Sequence, residues 1–485
     1  KMAEDGVIIV GAGAAGLTTA YELVRLGYGG DIHILEASNR WGGRVEQVEF
    51  GGMKLDLGGS WLQAPPTALH DILDRPPRNT KLAEYEPGFS VFEHEKWDNT
   101  KSLRFGYQTF VGSTWYEFFE QNILPSVEDT ITYDCEVDMV DYFDTDQAFV
   151  ECTNGMVFTG KHVVLTPSVQ VLNKIKFLPK LPTSVQDAIE KVEWSRGFKL
   201  LIEFSKDFFR NQFSIYMPQY WAFNEHNFYD VTYNQPQKDR PILGFIATDK
   251  YYDLYANMTE QEIVNETLRL LDHAFNCTDA TDSYVSHVFK DWGKEPYIEG
   301  VWSWYDEWRH GPDDMDDRWV QLCSVLDELL NPIGDEGQLF LAGEAVAPDG
   351  DYALVSGAAM SGKTTACRIM GGTFEIGYHC VPPPTISPRP TTTSVPTFYP
   401  TMQPTLSPST TFAPSASRSP SSIIPTVVGT TNGPTEGNAP PTEEDLITPG
   451  TLSSPTESSG SRSSTKMALL TSVMLSAVYL AKLLL

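Results

Sequence analysis

Four apolar residues, Val7-Ile8-Ile9-Val10, run without a break into Gly11-Ala12-Gly13-Ala14-Ala15-Gly16, and no other stretch restricts the fold as tightly. The apolar run reads as a strand buried on both faces. Leu17 to Leu26 reads as a helix ended by Gly27, and Ile32-His33-Ile34-Leu35 as a second strand ending on Glu36. Together they form the βαβ dinucleotide fingerprint of an α/β fold. Gly11 permits a tight turn, Gly13 lets backbone approach a pyrophosphate, and Gly16 lets helix and strand pack closely. The helix N-terminus, at Ala14 and Ala15, offers free N–H groups and a positive dipole end to phosphates. Glu36 is placed to accept ribose hydroxyls, which favours an unphosphorylated ribose and so NAD or FAD over NADP.

The next residues narrow that choice. Glu36-Ala37-Ser38-Asn39-Arg40-Trp41-Gly42-Gly43-Arg44 sets two glycines and two arginines after the acid. Arg44 can pair with phosphate, and the glycines let the chain pass close to a flat ligand. Asp56-Leu57-Gly58-Gly59-Ser60-Trp61 is another glycine turn beside an aromatic. Far along the chain come Leu339-Phe340-Leu341-Ala342-Gly343-Glu344 and Gly357-Ala358-Ala359-Met360-Ser361-Gly362.

In the order and content of these motifs, residues 5 to 376 resemble the flavin-containing amine oxidases. That family includes polyamine oxidases, monoamine oxidases, L-amino-acid oxidases and the histone demethylases of the same fold. The resemblance implies an FAD-binding Rossmann-like domain from residues 1–63, 106–172 and 335–378. An α+β substrate domain from 64–105 and 173–334 would interleave with it. It implies non-covalent FAD, with Gly11, Gly13, Ala14, Ala15 and Gly16 at the pyrophosphate. Glu36 would meet the adenosine ribose, with Ala37, Arg40 and Gly43 nearby and Arg44 near the phosphates. Val137 would touch the adenine side, and Gly343 and Glu344 the ribityl side. Gly58, Gly59, Ser60, Trp61, Leu354 and Val355 would approach the isoalloxazine.

The catalytic candidate is Lys199, in Arg196-Gly197-Phe198-Lys199-Leu200-Leu201-Ile202-Glu203-Phe204. A lysine in an apolar strand is costly to bury without a partner, so an exposed strand-end lysine is the plain alternative. The segment resembles the family strand whose lysine holds a water against flavin N5. Trp292, Tyr297 and Trp302 resemble a family segment beside the flavin, where aromatics line a slot for a cationic amine; core packing explains any single one equally well. Gln63 stands where polyamine oxidases often carry Glu or His. Leu354 stands where many members place an aromatic, with Tyr352 two residues earlier. About forty residues separate Trp61 from Gly106, fewer than the family usually has, so a shortened substrate domain is expected.

Two motifs point elsewhere. Gly357 to Thr364 matches the phosphate-binding P-loop pattern, but that site needs a downstream acidic strand for Mg²⁺. Downstream of this match lies a Pro/Ser/Thr tract, so ATP binding is not expected. Cys323 lacks the surroundings of a covalent flavin site. The spacing of the six Cys suggests no metal site. It leaves 15 possible disulfide connectivities, with Cys367 expected as a buried thiol.

Composition changes after Cys380. Residues 381–466 carry 17 of the 33 Pro and bury too little apolar surface to fold, which gives a stalk or a linker over 379–466. Met467 to Leu485 is a largely apolar stretch whose one charge is Lys482. That length fits a bilayer-crossing helix or a glycolipid-anchor signal with Ser458-Ser459-Gly460 as its cleavage site. Asn257, Asn265 and Asn276 head N-x-[ST] sequons. These features predict a secretory route to the outer face of the cell membrane, with a signal peptide expected upstream of Lys1.

The net charge of −29 argues against nucleic acid as a partner. The residues beyond 380 carry five basic and five acidic side chains, so the whole excess belongs to the first 380 residues. Such a field draws in polycationic amines. The expected activity is oxidation of amines, polyamines foremost, to imines, with O2 as acceptor and H2O2 as product. Two alternatives stand beside it. An L-amino-acid oxidase would need an arginine clamp, for which Arg104 and Arg196 are candidates. The other is an anchored surface glycoprotein that keeps the fold without turnover.

Overall fold

The computed structural model describes residues 6–63, 81–85, 88–93, 96–98, 107–144, 146–209, 219–223, 226–236, 240–305, 315–347 and 352–371. The stalk, the 467–485 segment, Arg104 and Cys380 lie outside these residues. Among the described residues no helix is long and apolar enough to cross a membrane.

A five-stranded parallel sheet carries the N-terminal motif. Its order is Ile131–Thr132, Ile32–Leu35, Val7–Val10, His162–Leu165, Leu339–Leu341. Val7 to Val10 are all buried, because the strand is central in the sheet and has no solvent face. The first helix, Ala14–Arg25, starts three residues before the expected Leu17, directly on Gly13. It packs against the last helix, Val355–Ile369. A Cβ on Gly362 would stand 2.4 Å from Ala15 O. The P-loop-like stretch is therefore the interior of a helix, and the second glycine of its pattern serves a close helix crossing.

A four-stranded sheet joins Val157–Gly160, Ala148–Cys152, Val137–Asp141 and Lys176–Leu178. Val137 lies opposite Cys152, and a disulfide links Cys135 to Cys152 across this pair. Among the described residues Cys277, Cys323 and Cys367 form no disulfide, and all three are partly exposed, so Cys367 is not the fully buried thiol expected from the sequence.

A seven-stranded sheet forms the other half. Its order is Tyr284–Asp291, Gly197–Phe204, Ile242–Thr248, His226–Asp230, Gln219–Phe223, Gly88–Glu93, Lys96–Asp98. All eight residues of Gly197–Phe204 are buried, since strands pair with both edges and apolar clusters cover both faces, with Phe198, Leu200 and Ile202 in one and Leu201 in another with Phe50 and Met53. The helix Glu260–Phe275 lays Ile263, Val264, Leu268 and Leu271 into a cluster with Phe198, Leu200 and Ile202. A capping box of Thr259 and Glu262 starts that helix. The short region after Trp61 contributes strands, among them Leu82–Tyr85 in a small sheet with Leu62–Gln63 and Tyr107–Phe110.

Candidate active site

A cavity of about 380 Å³ opens at the carboxyl ends of the parallel strands, walled by all three Rossmann segments. Gly11 turns the chain with φ +100°. A Cβ on Gly16 would lie 2.0 Å from Gly11 O, so strand and helix meet there without a side chain between them. Gly13 is glycine for a different reason. The nearest protein atom to a Cβ built on it is Gly42 O, at 3.9 Å, yet it lines the cavity, where a side chain would take ligand room. Gly13, Ala14 and Ala15 present the helix N-terminus to the same space.

Glu36 is buried at the end of the second strand and lines the cavity. Its Oε2 accepts the Ala12 N–H at 2.8 Å, and its Oε1 accepts the Ser38 N–H and hydroxyl at 2.9 and 2.7 Å. The carboxylate is thereby held in one orientation. Ala37, Arg40, Gly43 and Arg44 continue the wall. Arg40 donates to Gly43 O at 3.0 Å and pairs with Glu46. Arg44 donates to Val301 O and to Glu344, each at 3.0 Å, and its guanidinium lies 4.8 Å from the Trp194 ring centroid. Glu344 is buried and also accepts the Ser303 hydroxyl at 2.6 Å and the Ala353 N–H at 2.8 Å.

The other expected cofactor residues divide into two groups. Val137, Gly59, Gly343, Leu354 and Val355 line the cavity. Gly58, Ser60 and Trp61 stand behind Gly59 and face Lys199 instead. Lys199 is 4% exposed. Its Nζ donates to Gly58 O at 2.5 Å, Ser60 Oγ at 2.8 Å and Asp56 O at 3.3 Å. The Trp61 and Tyr229 rings lie 5.9 and 5.8 Å away. The exposed strand-end alternative therefore does not hold. Burial lowers the lysine from its ordinary value to about 8, with Asp56 opposing that shift.

Among the aromatic candidates only Tyr297 lines the cavity; it has φ +64° and is 39% exposed. Trp292 is buried and donates from Nε1 to Leu57 O at 3.0 Å. Trp302 is buried in the main core cluster. Tyr352 is also buried there, packed edge-on against Trp304 and Tyr305. Gln63 has its backbone in a strand, and its side chain lies outside the described residues. Arg196 pairs with Asp253 at an exposed site, away from the cavity. Asp56, Trp115, Tyr229 and Ser303 join the site without having been assigned from the sequence. Asp56 lies inside the quoted Asp56–Trp61 turn and Ser303 directly follows Trp302, whereas nothing local marks Trp115 or Tyr229.

Glycine-bounded space, a helix N-terminus, a fixed ribose-facing carboxylate and an arginine at the cavity wall fit FAD and define a dinucleotide-binding flavoprotein. Known proteins agree. Residues 9–76 match the NAD(P)-binding Rossmann-like domain, and residues 100–370 match the flavin containing amine oxidoreductases. The chain belongs to the flavin-containing amine oxidoreductase family.

Among relatives, it is 37% identical over 89 residues to putrescine oxidase of Kocuria rosea, covering 18% of each chain. It is 42% identical over 60 residues to polyamine oxidase 1 of Oryza sativa subsp. japonica, covering 12% of this chain and 11% of that one. The matches thus span less than a fifth of these curated relatives' length. The fold matches putrescine oxidase bound to putrescine with TM-score 0.61 at 16% identity, over 76% of this chain and 99% of that chain. Cyclohexylamine oxidase from Brevibacterium oxydans IH-35A matches with TM-score 0.62 at 16% identity, over the same shares. These two likenesses show a shared fold.

Proposed function

We propose that this protein oxidises amines, polyamines foremost, to imines, with O2 as the electron acceptor and H2O2 as product. The observation that carries the reading is Lys199. A lone ammonium in the interior of a buried strand, gripped by the turn whose Gly59 lines the cavity, is a costly arrangement of the kind found at functional sites. Bound FAD supplies a two-electron acceptor for the hydride from the amine α-carbon. The protein's part is to bind, orient and exclude water. Glu36 and Arg44 fix the dinucleotide, and the Gly58–Trp61 turn holds Lys199 directly behind the cavity wall that Gly59 forms. With FAD bound, the Lys199 ammonium would donate a hydrogen bond to a water and so hold it beside the flavin. Polyamines are favoured because the net charge of −29 falls on the catalytic region and attracts polycations. Putrescine oxidase and polyamine oxidase among the relatives point the same way. The exposed, paired state of Arg196 gives an L-amino-acid carboxylate no clamp there.

The test is direct. The purified chain should show a bound-flavin absorbance spectrum and release peroxide with spermine or spermidine faster than with a monoamine or an L-amino-acid mixture. No flavin would overturn the reading; flavin without peroxide would favour the non-catalytic glycoprotein.

The same proposal sets the protein on the outer face of the cell membrane, held by its C-terminal segment. Asn257, Asn265 and Asn276 are all exposed, and a disulfide suits an oxidising compartment. Glycosidase treatment should increase mobility on a gel. Phospholipase C should release a glycolipid-anchored form and leave a transmembrane form in the membrane. A chain that carries no glycan and fractionates with the cytosol would refute this placement.

A further inference from the structure

We propose that Asp56 is a positioning residue for Lys199, fixing the turn that grips the ammonium and supplying the negative charge that acts on it. Asp56 ends the strand Met53–Asp56, and its backbone carbonyl accepts Lys199 Nζ at 3.3 Å. Its carboxylate accepts the Trp115 N–H at 3.1 and 3.3 Å, at the N-terminus of the helix Trp115–Asn122. The Trp115 indole in turn donates to Trp61 O at 3.3 Å. Trp115, itself 1% exposed, thus ties down both ends of the 56–61 turn. The turn has little freedom between those ends, because a Cβ on Gly58 would lie 1.6 Å from Arg44 O. Gly58 O and Ser60 Oγ therefore stay aimed at Nζ.

The other charged groups around Lys199 have partners of their own. Lys290, opposite it in the neighbouring strand, pairs with Glu46 at 3.0 Å and Glu295 at 2.9 Å. On the other side its strand partner is Ile246. Tyr229 is kept protonated, its phenol pushed up by burial and by Asp56. Glu117, in the same helix as Trp115, pairs with Lys54. Asp56 is left as the carboxylate that raises Lys199 against its burial. Lys199 reciprocally lowers Asp56, which burial pushes up to about 7.

The role of the lysine rests on the amine-oxidase reading; the readouts do not. The first is an NMR pH titration of the Lys199 ammonium in the full chain, assigned by its loss in Lys199→Met. In Asp56→Asn, which keeps an acceptor for the Trp115 N–H, the midpoint should fall by about one pH unit. Asp56→Glu should restore it. The second reads the coupling from the other side and does not depend on Asp56→Asn folding. Asp56 takes a proton more readily folded than unfolded, so its stability contribution is present at low pH. That contribution is lost as pH rises from 3.8 through about 7. Without the ammonium, Lys199→Met should hold that proton to higher pH, and the fall in Tm should end later. A Tm lowered equally at every pH, with neither midpoint moved, would show a merely structural aspartate and overturn the proposal. A chain that binds no flavin would sink the amine-oxidase reading and leave both titrations readable.

Discussion

Glu344 and Arg44 meet at 3.0 Å although 300 positions separate them in the chain. The glutamate is the more buried partner, and its other contacts, to Ser303 and the nearby Ala353, draw two distant segments and its own following loop onto one carboxylate. Glu344→Gln should cost about 2–3 kcal/mol in urea unfolding, because it leaves the Arg44 charge without its counter-ion. FAD should also be retained more weakly. Unfolding identical to the parent would mean that the pair contributes nothing.

Glu36 faces the cavity already anchored by three protein donors. Glu36→Ala should weaken FAD binding about 10- to 100-fold, the scale of hydrogen bonds to a charged group. Flavin fluorescence on release would measure it. Equal affinity in the variant would remove Glu36 from the cofactor site.

Gly362→Ala should destabilise by about 1–3 kcal/mol, because its Cβ would push into Ala15 O. The same packing predicts that titration with ATP and Mg²⁺ gives no heat. Heat with the stoichiometry of one site would revive the P-loop reading.

Reduction of the disulfide, or Cys152→Ser, should cost about 3 kcal/mol, as for other loops of this size; the two cysteines are 17 residues apart. Cys135 and Val137 line the cavity, so FAD should loosen as well. A reductant titration followed by flavin fluorescence separates this from simple unfolding, and unaltered affinity in the reduced, folded chain would contradict it.

Lys199 gives stability a distinct alkaline signature. Its folded value, about 8, lies below its ordinary 10.5. Between those values the unfolded chain binds more protons, so stability should rise with pH across that window. Lys199→Met should flatten the rise and slow flavin reduction or reoxidation. Tm measured from about pH 7.5 to 10.5 checks the first, and unchanged kinetics in both half-reactions would remove Lys199 from the chemistry.

The nucleotide half was legible because phosphate and ribose recognition constrains neighbouring residues. Gly11, Gly13, Gly16 and Glu36 sit within one βαβ unit and fold around one ligand. Lys199 could be placed on a strand, but its burial depends on strands that come later in the chain. Aromatic identity could not separate Tyr297, on the cavity wall, from Trp302 and Tyr352, in the core; a ring packs equally well in either place. The Cys135–Cys152 pairing follows from the register that sets Val137 against Cys152. The bond from Trp115 to Asp56 spans 59 positions. No local pattern encodes either.

The parallel sheet has its first strand in the middle and its last, Leu339–Leu341, at one edge. The final stretch of cavity wall is Ala353 to Ala358. A ribosome adding roughly 5–20 residues per second therefore works for about 20–70 s after the glycine loop emerges before that wall exists. Through that interval the helix Ala14–Arg25 lacks the partner helix that covers it. Flavin loading is thus completed late in synthesis or after release, and a nascent chain stalled before residue 353 should be unable to keep the cofactor.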